Sequence, residues 1–167
     1  MKEGIGTSFE KHPQMKWRML EMKDINKERG EIERVVREVF HFKESDPEFL
    51  PLMREIATSI LNSKMEILDD EQWSRLENTD SWDIPSGNLK EAKKISDHYK
   101  KNITGILEGV KMGKPLPVPA ILDYGKGLHL ISGNTRLMTA KAFKQNPQVI
   151  FAKINPDNNP LLNQKTA

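Results

Sequence analysis

Cysteine is absent from this chain of 167 residues, so disulfide bonds, thiolate metal sites and cysteine nucleophiles are excluded. Long apolar runs are also lacking, because none approaches the roughly 20 residues that a membrane-spanning helix needs. The first residues lack the pattern of a signal peptide, and no internal repeat stands out. We therefore expect a cytoplasmic protein with no membrane partner, folded as one domain or as one domain with an extension.

Charge is divided unevenly between the two halves of the sequence. Residues 1–87 hold 13 lysines and arginines against 19 acidic residues, whereas residues 88–167 hold 13 against 5. The C-terminal half is therefore the basic one, as expected for a surface that meets a polyanion such as DNA. An equally good interpretation is that the two halves attract each other within the fold.

Residues 1–87 are predicted to form a mostly helical, acidic N-terminal region. Apolar residues recur at helical spacing over about 30–42, and again over 49–61 behind an acidic, proline-containing start. A short helix is expected after Asp70. Turn-forming residues at 78–88 then favour a boundary between this region and the rest of the chain.

Residues 88–154 are predicted to form a small α+β core with a mixed sheet. A long helix from Asn88 to about 112, a strand at 116–122, a glycine-containing hairpin connection and a second strand are expected in that order. Because Pro117 and Pro119 cannot donate ladder hydrogen bonds, we expect the first strand at a sheet edge. A helix at about 135–144, a final strand and a loose tail over residues 155–167 complete the chain.

The second strand runs into a turn, Ser132-Gly133-Asn134-Thr135-Arg136, that opens directly into the next helix. Backbone N–H groups at a helix start lack intrahelical partners and can hold an anion. Gly133 allows close backbone approach, and Asn134 or Thr135 can cap the helix or contact an oxygen. Arg136 supplies a cation that can bind a phosphate through two hydrogen-bond donors. The turn therefore predicts a phosphate site, to which His129 on the preceding strand can contribute. The alternative is an ordinary capped turn in which Arg136 forms a structural ion pair and His129 has a structural role.

Two further sets of residues are functional candidates. Lys93, Lys94, Lys100 and Lys101 share one side of the predicted long helix, where they could contact nucleic-acid phosphates. More often, lysines spaced in this way simply form the solvent-exposed face of a helix. No histidine has a partner at metal-ligand spacing, so no metal site is predicted, although Mg²⁺ can arrive with a triphosphate.

The order of these elements resembles the ParB/sulfiredoxin-like superfamily over roughly residues 88–154. The matching pieces are a helix that ends at Gly113, a proline leading into a strand, a Gly133-x-x-Arg136 turn and a final strand after the next helix. The resemblance implies a mixed-sheet core and a nucleoside triphosphate, CTP or ATP, bound at residues 133–136. Sulfiredoxin activity is excluded because the chain has no cysteine, and Thr135 stands where ParB proteins carry a second arginine.

The resemblance thus implies a small ParB-like protein of phage or plasmid type that binds a nucleotide and acts on or near DNA. Hydrolysis or transfer of phosphate stays open, since neither Asp123 nor Glu108 is convincing as a general base. One alternative is a non-catalytic module that binds DNA or protein. A metal-dependent nuclease is another, so NTPase, phosphotransferase and nuclease activities are all candidates.

Overall fold

The computed structural model describes residues 13–79, 81 and 103–162, and it has the expected α+β fold. The helices are α1 (Met22–Lys27), α2 (Arg29–Glu38), α3 (Phe49–Asn62), α4 (Asp70–Arg75), α5 (Ile103–Lys111) and α6 (Asn134–Ala142). The strands are β1 (Trp17–Arg18), β2 (Glu66–Ile67), β3 (Leu76–Glu77), β4 (Leu116–Pro117), β5 (Ala120–Asp123), β6 (Leu128–Ser132) and β7 (Gln148–Lys153). No helix in this part of the chain is both long and apolar enough to cross a membrane.

A five-stranded mixed sheet, in the order β2-β7-β5-β6-β3, organises the fold. β5 lies in its centre, parallel to β7 and antiparallel to β6, so that Ala120 stands opposite both Ile150 and Ser132. The two-residue strands β2 and β3 form the edges. β1 and β4 form a separate parallel pair.

The prediction that the strand containing Pro117 and Pro119 lies at a sheet edge is wrong for most of its length. The prolines divide this segment into β4, which pairs only with β1, and β5, which lies inside the five-stranded sheet. β5 starts immediately after Pro119, so each of its residues has an N–H group for the ladder. Pro119 contributes an acceptor to the sheet, because its carbonyl oxygen accepts a hydrogen bond from the N–H of Ile150 at 3.1 Å.

The N-terminal region builds part of the core instead of forming an extension beside it. β1, β2 and β3 each pair with a strand from the C-terminal half. Ile32 and Val36 of α2 and Leu52 of α3 pack in one cluster with Leu122 and Ile150 of the sheet. The hydrophobic core therefore crosses the boundary expected at residues 78–88, most of which lies outside the described residues.

Several predicted elements are found within a few residues of their expected positions. α2, α3, α4 and α6 match the four shorter predicted helices, and β6 and β7 match two predicted strands. Of the long helix predicted from Asn88, only the part from Ile103 onward can be compared, and it is helical as α5. Residues 155–162 are not loose, because Leu162 is 6% exposed in the main cluster and Asn159 donates to Glu55 Oε1 at 2.5 Å.

Candidate site at the start of α6

Gly133 forms the whole connection between β6 and α6. Its φ of 103° and ψ of 19° lie in the left-handed region that glycine adopts most readily. A Cβ atom added here would stand 2.7 Å from Cβ and 2.8 Å from Cα of Pro119. Because a proline backbone cannot move aside easily, the turn needs glycine for both conformation and space. The predicted tight strand-to-helix turn is therefore present.

An open cleft of about 1080 Å³ lies in front of this turn. The predicted phosphate residues of the turn form one wall, and the segment around α1 and α2 forms another. The residues that line it are Lys27, Glu28, Glu31, Arg34, Asn78, Ile106, Leu130, Ile131, Ser132, Gly133, Asn134, Thr135 and Arg136. The structure thus brings Ser132–Arg136 together on one concave surface.

Ser132 is a buried polar residue at the cleft. The residue is 7% exposed, and its Oγ has no hydrogen-bond partner among the described residues. Leaving a buried polar group unpaired costs about 1–3 kcal/mol, and native proteins pair most of them. Ser132 lines the cleft while its Oγ is itself buried, so a ligand oxygen accepts its hydrogen bond once the side chain rotates toward the cleft.

Arg136 lines the cleft, but its guanidinium is turned inward. Its side chain is 12% exposed, Nη1 donates to the carbonyl oxygen of Pro117, and Nη2 lies 3.9 Å from Oε1 of Glu28. Burial lowers the pKa of Arg136, while the carboxylates of Glu28 and Asp24 oppose that shift. An arginine nevertheless keeps its charge in a protein. The predicted bidentate contact with a phosphate is not the arrangement found. The guanidinium instead links α6 to β4 through its hydrogen bond to Pro117, as a buried cation beside the cleft.

Arg34 of α2 and Lys27 of α1 are cations at the cleft that sequence reasoning missed. Arg34 has the more extensive contacts. Its Nη2 donates to the carbonyl oxygen of Leu130 at 3.0 Å, and its Nη1 lies 3.2 Å from Nε2 of His129. It also pairs with Glu31 and Glu38, three residues before it and four after it. In the sequence this spacing is typical of an ordinary ion-pair ladder on a helix surface. Nothing local signals that Arg34 reaches a strand 95 residues away.

His129 is held in a polar chain and does not reach the phosphate turn. Its Nδ1 lies 3.1 Å from Oε1 of Glu77, whose carboxylate also accepts from the Tyr124 hydroxyl at 3.0 Å. Because arginine only donates, Nε2 of His129 must accept from Arg34 and Nδ1–H must donate to Glu77, which describes a neutral imidazole. His129 and Tyr124 line a second cavity of about 530 Å³.

The side chain of Asn134 is fixed by a hydrogen-bond chain that starts at α4. Trp73 Nε1 donates to Ser81 Oγ at 2.8 Å, the hydroxyls of Ser81 and Thr79 are 2.8 Å apart, and Thr79 donates to Asn134 Oδ1 at 2.8 Å. Asn134 therefore does not cap α6, whose N-cap position belongs to Gly133. The chain positions the first turn of the helix that forms the cleft wall.

Asn78 completes the floor of the cleft where β3 stops. Its Oδ1 accepts from Leu130 N at 2.8 Å and its Nδ2 donates to Leu130 O at 3.1 Å. The side chain thus takes the place of a further strand residue beside β6. A positive φ of 47°, which asparagine tolerates better than most residues, puts it there.

Lys93, Lys94, Lys100 and Lys101 lie outside the described residues, so contact with nucleic acid stays a prediction. Among residues 13–79, 81 and 103–162, no group of three or more histidine, aspartate or glutamate side chains is placed to hold a metal ion. The sequence matches no protein-family model, and neither curated proteins nor solved structures include a significant match to the chain. The ParB/sulfiredoxin-like resemblance stays a prediction drawn from its motif.

Proposed function

We propose that this protein binds a phosphate-bearing ligand, a nucleotide, in the cleft at the start of α6. The Ser132 hydroxyl carries the proposal, because it is buried at the cleft without a partner among the described residues. A phosphate oxygen would accept its hydrogen bond and those of the first N–H groups of α6.

The charges around the cleft support an anionic ligand. Lys27, Arg34 and Arg136 line it, against the carboxylates of Glu28 and Glu31. This balance favours the charge of a single phosphate group. A triphosphate brings more negative charge than these side chains neutralise, so Mg²⁺ would accompany CTP or ATP, the nucleotides that the resemblance predicts.

A second candidate is a non-catalytic module that binds DNA. The excess of positive charge in residues 88–167 favours it, because basic surfaces hold nucleic acid through phosphate contacts. Retention of duplex DNA that weakens steeply with salt, without nucleotide turnover, would distinguish this function from nucleotide hydrolysis.

Two serine variants test the nucleotide site by calorimetry with inorganic phosphate, CTP and ATP, each with and without Mg²⁺. Ser132→Ala removes an unpaired hydroxyl, so we expect the unliganded melting temperature to hold or rise while ligand affinity falls about tenfold. Ser63→Ala is the matched control, since Ser63 Oγ lies 2.5 Å from the Ser59 carbonyl oxygen and 2.9 Å from that of Phe151. It should lower the melting temperature and leave affinity unchanged.

Three results of the same titrations would contradict the proposed nucleotide site. Failure of the unmodified protein to bind phosphate, CTP and ATP would reject the site. Equal affinities for Ser132→Ala and the unmodified protein would show that the ligand binds elsewhere. Binding of inorganic phosphate with no binding of either nucleotide would reject the nucleotide and leave an anion site.

A further inference from the structure

The second cavity combines aromatic walls with a carboxylate. The side chains of Phe40, Phe42, Tyr124 and Leu162 line it, and its volume is about 530 Å³. The rings of Phe40 and Tyr124 meet edge to face, with their centroids 6.5 Å apart. Glu77 lines the same cavity. Small-molecule sites have this composition, since they are mostly apolar and carry a few polar groups that fix the orientation of the ligand.

Hydrogen bonds hold the Glu77 carboxylate in place without neutralising its charge. The Tyr124 hydroxyl donates to it at 3.0 Å, and Nδ1–H of His129 donates to Oε1 at 3.1 Å. Both donors are neutral, because burial raises the pKa of Tyr124 and Nε2 of His129 accepts from Arg34. Within the part of the chain that the structure describes, Glu77 forms no ion pair with a lysine or arginine.

The carboxylate of Glu77 is also accessible to a ligand. Its side chain is 44% exposed, and a carboxylate has about four lone-pair positions, so two donors leave some of them open. Gly127 in the hairpin leaves room for it, because a Cβ added there would stand 2.8 Å from Oε2 of Glu77 and 2.9 Å from the Tyr124 hydroxyl oxygen. The group that complements this arrangement is a hydrogen-bond donor with a positive charge.

We propose that the second cavity binds an organic primary ammonium, a small molecule with an apolar body that ends in an ammonium group. The ammonium group would donate to Glu77, which keeps its hydrogen bonds from Tyr124 and His129. The aromatic side chains would pack against the apolar body, and aromatic faces also attract a nearby cation. The carboxylates of Glu38 and Glu77 line the cavity against one lysine, Lys126, so its charge favours a cation.

Benzylammonium is the probe, and benzyl alcohol is its neutral counterpart, because the two share an apolar body and differ in the charge of the donor. In calorimetry at pH 7 we expect saturable binding of benzylammonium and about tenfold weaker binding of the alcohol, since a charged donor forms the stronger hydrogen bond. Equal affinities for the two compounds, or no binding of benzylammonium, would overturn the inference. This cavity is distinct from the cleft at α6, so neither result bears on the proposed nucleotide site.

Glu77→Gln removes the charge but keeps an oxygen that can accept from Tyr124 and His129. We expect its melting temperature to stay near that of the unmodified protein while benzylammonium affinity falls about tenfold. Glu66→Gln is the matched control, because Glu66 lies on β2, the opposite edge strand of the sheet, and does not line this cavity. It should leave the affinity unchanged. Equal affinities of the two variants would contradict the role of Glu77.

Lys126→Gln distinguishes an ammonium ligand from an anionic one. Lys126 lines the cavity without pairing with Glu77, so it is the cation that would compete with the ligand. Its removal should leave benzylammonium affinity unchanged or raise it. Weaker benzylammonium binding by this variant would reject the inference, as would tighter binding of benzoate than of benzylammonium by the unmodified protein.

Discussion

Replacing Gly133 by alanine perturbs the turn that forms the cleft wall in two separable ways. The left-handed backbone costs an alanine about 1–2 kcal/mol, because its Cβ crowds the following carbonyl oxygen. The same Cβ would also lie 2.7 Å from Cβ of Pro119, and forcing an extra carbon into a packed site typically costs about 1–3 kcal/mol. We therefore expect Gly133→Ala to lower the free energy of unfolding by about 2–5 kcal/mol.

Gly125→Ala provides the matched control for backbone strain. Gly125 also has a positive φ, 85°, but no atom lies within 4 Å of the Cβ that alanine would add. It should therefore lose only the conformational part, about 1–2 kcal/mol. Urea denaturation followed by tryptophan fluorescence and circular dichroism gives both free energies. If Gly133→Ala is no less stable than Gly125→Ala, the close contact between Gly133 and Pro119 is refuted.

Two further variants test the polar contacts of the fold. Hydrogen bonds from Arg18 at 2.8 and 3.0 Å lower the pKa of Asp24 to about 2 from its ordinary 3.8, against the opposing effect of burial. This stabilisation is present above pH 4 and is lost as the pH falls toward 2. We therefore expect Asp24→Asn to lower the free energy of unfolding by at most about 2 kcal/mol at pH 7. In urea titrations, the free energy of unfolding of this variant should fall less between pH 4 and pH 2 than that of the unmodified protein. Equal stability of the two proteins at pH 7 would contradict this reasoning. Asn78→Ala leaves the Leu130 N–H without its acceptor, while the Leu130 carbonyl oxygen keeps the hydrogen bond from Arg34. The variant should therefore cost about 1–3 kcal/mol and speed hydrogen exchange at the Leu130 amide. Unchanged exchange there would show that Asn78 does not protect the β6 edge.

Local patterns in the sequence determined most of the helices and the tight turn at Gly133. Apolar residues at helical spacing place α2 and α3, because a helix must bury a continuous stripe whatever it packs against. The Gly133 turn was predictable for the same reason, since a strand followed directly by a helix needs a residue that adopts positive φ. These properties depend on neighbours within a few residues along the chain.

Only the tertiary structure decided which side chains meet at the site. Arg34 contacts His129 across 95 residues, and Asn78 contacts Leu130 across 52. Arg136 turns inward because the carbonyl oxygen of Pro117 is folded beside it, which no spacing along the chain indicates. The reason is physical: periodicity sets which face of an element is buried, whereas side-chain partners depend on how separate elements pack. Which cations line the cleft is therefore a property of the packed fold.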